Sequence, residues 1–488
     1  MKFDIPLEVS YVTSTLEKAN FEAFLVGGCV RYLFLGREPK DWDITTNATP
    51  DQIIGLFPHT FYENTFGTVG IVNEETEKEV LKTIEVTPYR LESEYSDNRH
   101  PDKVIFSQKL EDDLQRRDFT MNALAYSVSE HKLVDLYNGQ QDIKDKLIRT
   151  VGNPTDRFQE DGLRIMRAIR FYAELGFEIE QETEKAILEN NHLLAHISKE
   201  RIRDEFTKLI MSPRPMAGLL AMKKLGILSY VVPELEDTIG VEQNKAHSYD
   251  VWEHLLRSVQ HSADKNYPLD IRLTALFHDI SKPESRRWSK EQNQWTFYGH
   301  EVIGARTTKK ILTNLKYPNK LIEKVTKMAR WHMFFSDTEQ ITLSAVRRMI
   351  VNVGRENIWD LMNVRVCDRI GTGRPKEDPY RLRKYHSMIE EALRDPVSVG
   401  MLKIDGKRII EIGHITPGPK IGWTLHALLE EVLEDPTKNT PEYLENKAKE
   451  LLVLPENELQ ARGEQGKELK EEADQEEIKK IRGKHWVK

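Results

Sequence analysis

The sequence predicts a multidomain protein in which a small α/β unit is followed by regions that are almost entirely helical. At 488 residues the chain is too long for one hydrophobic core and should divide into three or more compact units. Short strand-like runs alternate with helical patterns over roughly the first 150 residues, and helical periodicity dominates afterwards. A hydrophobic content of 39% is sufficient for globular folding. We therefore expect a small mixed sheet with helices, and all-α regions after it.

The elements of the first unit follow from periodicity and capping signals. The pattern predicts an amphipathic helix from about residue 8 to 25, a strand at 24–26, a helix after Thr49, and strands at 67–72 and 82–87. Thr49 is a suitable N-cap because Pro50 would occupy the first helical position. Residues 88–108 are too polar and turn-rich for a packed element, so we expect a mobile loop there.

Composition excludes several functional classes. The formal net charge is −8 with 31% charged residues, so any nucleic-acid surface must be a local basic stripe. The two cysteines, Cys29 and Cys367, lie far apart and argue for a reducing compartment. The N-terminus lacks the apolar region of a signal peptide, and no run approaches 18 apolar residues. These observations predict a cytoplasmic protein without a membrane partner.

The segment from Gly27 to Asp43 carries the first chemical signal. Gly27-Gly28 would let the backbone approach a phosphate closely, and Arg31 follows where a helix should begin. Asp41 and Asp43 are two apart on a predicted strand, so their side chains should share one face. Two such carboxylates suit a pair of Mg²⁺ ions used for in-line phosphoryl or nucleotidyl transfer.

This stretch resembles the signature of the nucleotidyltransferase superfamily, and specifically class II tRNA nucleotidyltransferases, the CCA-adding enzymes. The resemblance implies an α/β nucleotidyltransferase head, with Asp41 and Asp43 as catalytic Mg²⁺ ligands and Gly27, Gly28 and Arg31 at the nucleotide. It also implies a third carboxylate at Glu85, for which a half-exposed surface glutamate is an equal alternative. In this family the segment matching 88–108 is a flexible loop that helps to change the preference from CTP to ATP.

The octet from Arg116 to Ala123 is the strongest single match to the family. Guanidinium groups can hold phosphate oxygens with bidentate geometry, and a carboxylate can accept from a ribose hydroxyl. We therefore expect Arg117, Asp118 and Asn122 to bind the nucleoside triphosphate.

A long helix is predicted from Asp156 through Arg170. At 100° per residue Asp161 and Arg164 would be neighbours, whereas Arg167 and Arg170 rotate away and serve other groups. A carboxylate accepts from the amine of cytosine or adenine, and a guanidinium donates to the adjacent ring nitrogen. Uracil and guanine present a carbonyl instead of the amine. The Asp161/Arg164 pair resembles the nucleotide-reading motif of class II enzymes. The predicted nucleotide-binding residues of this helix are Asp161, Arg164, Arg167 and Arg170.

A second constellation begins at His254. Imidazoles combined with carboxylates suit divalent transition metals, and adjacent His and Asp residues can contribute to a shared pair of ions. The set resembles the HD phosphohydrolase superfamily, although Ser281 stands where glycine is common. The predicted ligands of this HD site are His254, His278, Asp279, His300, His332 and Asp368. Some CCA-adding enzymes use such a domain as a phosphatase or 2′,3′-cyclic phosphodiesterase at damaged RNA ends.

The resemblance implies a division of the chain into six regions. These are a head at 1–150, a base-reading neck at 151–212, a body at 213–245, an HD domain at 246–395, a tRNA-binding tail at 396–454 and a charged extension at 455–488. The extension should be a solvated helix or disordered.

The predicted function is addition of CCA to a tRNA 3′ end from CTP and ATP, with a possible HD phosphohydrolase activity and no DNA partner. A poly(A) polymerase or an A-adding enzyme is the nearest alternative. A different class is an RNA-end phosphohydrolase whose head only binds RNA. The sequence leaves open whether CCA, CC or only the terminal A is added.

Overall fold

The computed structural model describes residues 2–63, 67–93, 103–244, 247–333, 341–394 and 398–468. The chain forms two compact units, Met1–Val231 and Val232–Lys488. The boundary falls within the predicted body, so the finer six-part division stays a prediction. No helix in the described ranges is long and apolar enough to cross a membrane.

The first unit begins with the predicted alternation of strands and helices. Its elements are α1 (Leu7–Lys18), β1 (Ala23–Val26), α2 (Gly28–Phe34), β2 (Asp43–Thr46), α3 (Pro50–Leu56), β3 (Thr60–Glu63), β4 (Thr68–Val72), β5 (Thr83–Pro88), β6 (Arg90–Ser93), β7 (Lys103–Phe106), α4 (Leu110–Gln115), β8 (Leu124–Ser127), β9 (Lys132–Asp135), α5 (Gly139–Asp145) and β10 (Leu147–Ile148). Helices then dominate: α6 (Pro154–Glu160), α7 (Leu163–Leu175), β11 (Glu178–Ile179), α8 (Gln181–Asn190), α9 (Lys199–Ile210), α10 (Pro215–Lys224) and α11 (Leu228–Val231).

A mixed sheet of seven strands organises the head, in the order β3-β4-β5-β2-β1-β8-β9. The β2–β5 pair is parallel and the other pairs are antiparallel, which confirms the predicted small mixed sheet. The β2–β5 register places Asp43 opposite Glu85. Helix α3 carries the predicted cap, because Thr49 and Gln52 form a reciprocal capping box.

The prediction of an unpacked loop over residues 88–108 was wrong at both ends of that segment. Strands β6 and β7 form an antiparallel pair in which Arg90 faces Phe106 and Leu91 faces Ile105. The apolar, β-branched run Val104-Ile105-Phe106 favours a strand over a loop, and the polar composition of the whole segment hid it. The middle, 94–102, lies outside the described residues.

The predicted continuous helix over 156–170 was also wrong. Helix α6 ends before Asp161, which has extended backbone angles (φ −148°, ψ 104°), and α7 begins at Leu163. A Cβ added at Gly162 would lie 3.0 Å from the Leu193 Cβ, so the glycine allows close packing at the break. Asp161 therefore lies between two helices, and the helical-wheel argument that made it a neighbour of Arg164 does not apply.

Over its described residues, the second unit is helical apart from one hairpin. Its elements are α12 (Val251–Asp264), α13 (Leu269–Phe277), α14 (Lys282–Ser285), β12 (Arg287–Ser289), β13 (Gln294–Thr296), α15 (His300–Asn314), α16 (Asn319–Trp331), α17 (Leu343–Val353), α18 (Ile358–Gly371), α19 (Tyr380–Ala392), α20 (Gly406–Gly413), α21 (Pro419–Glu434), α22 (Pro441–Leu452) and α23 (Glu456–Glu468). Ile350, Leu361 and Tyr385 belong to one core cluster, and Leu428, Val432 and Leu444 belong to a separate one.

The charged extension was predicted as a solvated helix or a disordered end. Its first part is a helix, α23, but it is not simply solvated, because Leu459 is buried in the core of the tail. A Cβ at Gly463 would lie 2.4 Å from the Trp423 Cα, so α23 packs closely on α21. Residues 469–488 lie outside the described ranges.

Candidate functional site

The Gly27-Gly28 turn and the two aspartates meet at one end of the interior strands β1 and β2 of the head sheet. Gly27 adopts φ +74°, which favours glycine, and a Cβ there would lie 3.1 Å from the Arg117 Nη1 and 3.6 Å from the Asp43 Oδ2. A Cβ on Gly28 would lie 3.4 Å from the Asp41 Oδ1. Asp41 precedes β2 rather than lying on it, so the two carboxylates converge through the bend and not through strand alternation.

Asp43 carries the electrostatic mark of a cation site. Burial, then the negative charges of Asp41 and Glu85, raise the pKa of Asp43 to about 7, against the opposing effect of Arg117. Glu85 is exposed and its charge acts on Asp43, so its role as a third carboxylate stays a prediction beside the alternative of a surface glutamate. Three mutually repelling carboxylates need a compensating cation, and oxygen ligands of this kind suit Mg²⁺. The donor set therefore fits the Mg²⁺ ions that the sequence predicted.

The basic pair of the octet is fixed by a carboxylate that the sequence analysis missed. Asp113 is fully buried and accepts from Arg116 (2.6 Å) and Arg117 (2.9 Å). Burial alone would raise the pKa of Asp113, but the two guanidinium groups hold it at about 2. The spacing of three and four residues across the end of α4 was the available signal. Asp113 consequently orients Arg117 beside Gly27.

Asp118 connects the head to the neck helix. It accepts from the Asn122 amide (2.9 Å) and pairs with Arg167 (2.6 Å), and Arg31 donates to Asn122 from a buried position. Burial alone would raise the pKa of Asp118, but Arg167 and Asn122 lower it below its usual range. In this structure Asp118, Asn122 and Arg31 thus bind one another, and their contacts with a nucleotide stay predictions.

Asp161 and Arg164 each have another partner. Asp161 accepts from both terminal nitrogens of Arg201 (3.1 and 2.7 Å), whereas Arg164 pairs with Glu160 (2.5 Å) and donates to the Arg116 carbonyl (2.9 Å). Neither Arg201 nor Glu160 was predicted. Arg170 lies 2.8 Å from Glu205 and covers the Phe171 ring at 4.0 Å. As expected, Arg167 and Arg170 serve groups other than Asp161.

The predicted HD ligands come together as two groups that share Asp279. His254, His278, Asp279 and Asp368 form one group, and Asp279, His300 and His332 form the other. Within each group the ligand atoms lie within 4.8 Å of one another, and all of the residues are buried. For example, Asp279 Oδ2 is 3.1 Å from the His254 Nε2, and Asp279 Oδ1 is 3.1 Å from the His300 Nε2. One bridging carboxylate between two ligand sets is an arrangement for two ions.

Hydrogen bonds orient the imidazoles for metal binding. The Nδ1 atoms of His278, His300 and His332 lie 3.0, 2.6 and 2.7 Å from backbone carbonyls three residues earlier. A proton on each Nδ1 leaves the Nε2 lone pairs free to face Asp279. Asp279 Oδ1 is buried without a hydrogen-bond partner. The residues present therefore fit a pair of divalent transition-metal ions.

Two cations next to the HD ligands were missed by the sequence analysis. Lys282 lies 2.6 Å from Asp279, and Arg365 pairs with Asp368, both at a spacing of three residues. Burial would raise the pKa of Asp279, but Lys282 and His278 hold it well below its usual range. The departure at Ser281 causes no backbone strain, because its φ is −100°.

A cavity of about 1260 Å³ opens over the HD ligands. Asp279, His300, His332 and Asp368 line one side of it, so a substrate in the cavity would reach both ligand groups. Arginines and aromatic side chains form much of the remaining wall.

Three family models match the chain. They describe the poly(A) polymerase head domain (residues 23–149), a probable RNA- and SrmB-binding site of polymerase A (176–239) and the HD domain (246–370). The first contains the head carboxylates and the third contains all of the predicted HD ligands. Asp161 and Arg164 lie between the first two matches.

Curated relatives identify the family. The CCA-adding enzyme of Geobacillus thermodenitrificans is 32% identical over 444 residues, covering 88% of this chain and 92% of the relative. The chain belongs to the CCA-adding enzyme family. A second family member, from Geobacillus sp., is 47% identical over 227 residues, which span 46% of this chain and 54% of that enzyme.

A solved CCA-adding enzyme shares the fold. The crystal structure of the Bacillus stearothermophilus CCA-adding enzyme in complex with CTP has a TM-score of 0.65 and 26% identity to this chain. The likeness covers 91% of this chain and 98% of that structure. The head sheet and the helical regions of this family member therefore have a known counterpart.

Proposed function

We propose that this chain adds the terminal CCA to tRNA from CTP and ATP without a nucleic-acid template. The observation that carries the proposal is the meeting of Asp41, Asp43 and Glu85 with Arg117 at the Gly27-Gly28 turn, in a member of the CCA-adding enzyme family. The relatives named here are CCA-adding enzymes, and one was crystallised with CTP. This favours CCA addition over the poly(A) polymerase alternative.

In the proposed reaction, the 3′-oxygen of tRNA forms a bond to the α-phosphorus of the nucleotide and pyrophosphate leaves. Asp41, Asp43 and Glu85 would hold Mg²⁺, which supplies charge neutralisation and Lewis acidity when bound. Arg117, oriented by Asp113, would contact the phosphates. The proton of the attacking hydroxyl goes to solvent or to a neighbouring carboxylate.

Asp161 and Arg164 are proposed to read the incoming base. Their present partners do not prevent this, because a carboxylate accepts several hydrogen bonds and Arg164 has five donors. Arg201 orients Asp161, and Glu160 orients Arg164. A base with an amine next to an acceptor nitrogen would complete both side chains, whereas uracil would place a carbonyl against Asp161.

The HD unit is proposed to hydrolyse phosphoesters at RNA ends, including 2′,3′-cyclic phosphates. Water adds to phosphorus, one bond from phosphorus to a ribose oxygen breaks, and that oxygen takes a proton. His254, His278, Asp279, His300, His332 and Asp368 would hold the metal pair, which activates water when bound. Lys282 stabilises negative charge beside Asp279. Both cysteines are free and buried, which agrees with action in the reducing cytoplasm.

A primer-extension assay tests the proposed transfer. Purified protein is incubated with tRNAs that lack CCA, end in C or end in CC, and CTP, ATP, UTP and GTP are supplied singly and in pairs. We expect C to be added to the first two substrates and A to the third, with product growth ending at CCA.

Other product lengths point to the alternatives. Addition of A to the CC-ending substrate alone would identify an A-adding enzyme, and open-ended A tails would identify a poly(A) polymerase. No extension of any substrate would leave a binding-only head and refute the proposed transferase.

A further inference from the structure

The cavity over the HD ligands is larger than a single nucleotide requires. Its volume of about 1260 Å³ exceeds the roughly 300–1,000 Å³ of ordinary small-molecule pockets. A 2′,3′-cyclic mononucleotide carries one phosphate, which in the proposed hydrolysis lies at the metal ligands. Side chains of the cavity wall away from the metal ligands would then bind nothing, unless the substrate has further nucleotides.

The cavity wall contains more cations than its carboxylates neutralise. Its arginines are Arg330, Arg348, Arg365, Arg369, Arg374 and Arg381. The first three pair with Glu301, Glu434 and Asp368. The other three make no ion pair with a carboxylate in the ranges that the structure describes. They lie on the segment that directly follows the HD ligand Asp368.

Arg369 is held at the cavity wall by a backbone contact. Its Nε donates to the Lys376 carbonyl at 2.6 Å. Like charges on one cavity wall repel one another, and an anion bound between them relieves the repulsion. Guanidinium groups in such a cluster suit phosphodiester oxygens.

Aromatic rings line the same cavity as these cations. Trp295, Tyr298, Trp331 and Tyr380 line the cavity, and Tyr298 and Tyr380 are 45% and 68% exposed. Trp295 is braced by Trp288 across the hairpin, with ring centroids 5.1 Å apart. Exposed rings next to a positive groove are the combination that binds unpaired bases and their backbone.

We propose that this cavity binds an unpaired RNA 3′ end of several nucleotides, with its phosphodiesters on Arg369, Arg374 and Arg381 and its bases on the aromatic wall. The proposal rests on the proposed HD hydrolase and names its substrate class. The cleaved phosphate lies at the metal ligands, and the preceding phosphates extend along the arginine segment. A mononucleotide would bind only at the metal ligands and would not reach the arginine segment.

Two substrates with the same reactive group test the proposal in the full-length, metal-loaded protein. One is 2′,3′-cyclic AMP, and the other is a pentaribonucleotide that ends in a 2′,3′-cyclic phosphate. We expect kcat/KM to be about tenfold or more higher for the pentanucleotide, with the advantage in KM. Since each phosphate contact contributes about −0.7 to the slope of log K against log salt, only the pentanucleotide should show a steep salt dependence.

The variant Arg374→Gln with Arg381→Gln should remove most of that advantage and reduce the salt slope by about 1.4, while leaving the mononucleotide rate within twofold. Arg383→Gln is the matched control, since Arg383 is an exposed arginine on α19 that does not line the cavity. Equal kcat/KM for the two substrates, or an unchanged preference in the double variant, would overturn the proposal.

A protein that hydrolyses neither substrate would refute the HD hydrolase without deciding the binding site. Fluorescence anisotropy of a labelled pentaribonucleotide with a 3′-phosphate then decides it. Binding at least fivefold weaker in the double variant than in Arg383→Gln supports the RNA-end cavity, and equal binding refutes it.

Discussion

The head and HD sites both use aspartates, but they differ in how much of each site exists before a metal arrives. The HD unit contains two groups of candidate ligand residues. Within each group the ligand atoms already lie within 4.8 Å of one another, and every residue is buried. Among the described residues, the head carboxylates form no third group of this kind. We predict from this difference that the HD site is built around resident ions and that the head site is completed by its substrate.

The ligand chemistry explains the difference. In the HD unit, carbonyl hydrogen bonds fix the orientation of three imidazoles before any ion binds. Burial, and after it the negative charges of Asp41 and Glu85, raise the pKa of Asp43. Mg²⁺ keeps several waters and is usually held jointly by one or two carboxylates and substrate phosphates. The head should therefore bind its ions together with the nucleotide, and the HD unit should retain its ions without substrate.

Reciprocal inactivation tests the comparison with the largest effect. Asp43→Ala should lower nucleotide addition by at least about 10³-fold, because charge stabilisation in the transition state is lost, while tRNA affinity and HD metal content stay unchanged. His278→Ala with Asp279→Ala should remove the transition metal and cyclic-phosphate hydrolysis, and leave CCA addition within about threefold. Extension assays, filter binding and elemental analysis of purified protein measure these quantities.

Each half of this experiment can fail separately. Addition within tenfold of the wild-type rate in Asp43→Ala would show that the head carboxylates do not hold the catalytic ions. Equal metal content in the wild type and the double variant would show that the HD histidines are core residues. The HD hydrolase, and with it the RNA-end cavity, would then have no catalytic centre.

Base reading gives a smaller and more specific effect within the first unit. Arg201 holds Asp161 with two hydrogen bonds. Without them, in Arg201→Ala, the Asp161 carboxylate should be able to turn away from the incoming base. We expect the preference for CTP over UTP to fall about tenfold, or roughly 1.4 kcal/mol, with a smaller loss of rate. Arg203→Ala is the control, because Arg203 pairs with the neighbouring Asp204 instead.

The measurement is kcat/KM for each nucleotide on tRNA lacking CCA. A loss of rate with unchanged selectivity would make the Arg201–Asp161 pair a structural contact. A reduced preference for CTP over UTP in Asp161→Ala and in Arg164→Ala, with HD metal content constant, would place base reading entirely in the neck.

The HD site was more predictable from sequence than the neck, for a physical reason. The predicted HD ligands are recognised by residue type and order along the chain, and His278 and Asp279 are consecutive in it. The neck pair depended on a helix that is interrupted, since close packing of Gly162 on Leu193 ends α6 before Asp161. Tertiary packing of this kind has no signal in helical periodicity.

Long-range partners and one strand pair were equally hidden. Arg201 is 40 residues from Asp161, and no spacing rule joins them. The β6–β7 pair lay in a segment whose overall polarity favoured a loop. By contrast, the strands predicted at 24–26, 67–72 and 82–87 and the capped helix after Thr49 were confirmed, because local chemistry determines them.

The smallest expected effect comes from two glycines that each support one site. A Cβ on Gly139 would lie 2.2 Å from the Thr120 carbonyl oxygen, next to the segment that holds Asp118 and Asn122. A Cβ on Gly371 would lie 2.1 Å from the Ser258 Oγ and 3.0 Å from the His254 Nδ1. Each alanine substitution should cost about 1–3 kcal/mol of overpacking in its own unit.

The consequences should separate by site, because Gly139 and Gly371 belong to different compact units. Gly139→Ala should slow CCA addition several-fold and leave the HD metal content intact. Gly371→Ala should displace His254 and weaken metal retention against a chelator, with addition unchanged. Gly422→Ala is the control: Gly422 lies inside α21, and its added Cβ would meet no atom within 4 Å, so a small gain in stability is expected. If either test substitution impaired nucleotide addition and HD metal retention equally, the two sites would be coupled. The predicted independence of the head site and the HD site would then be wrong.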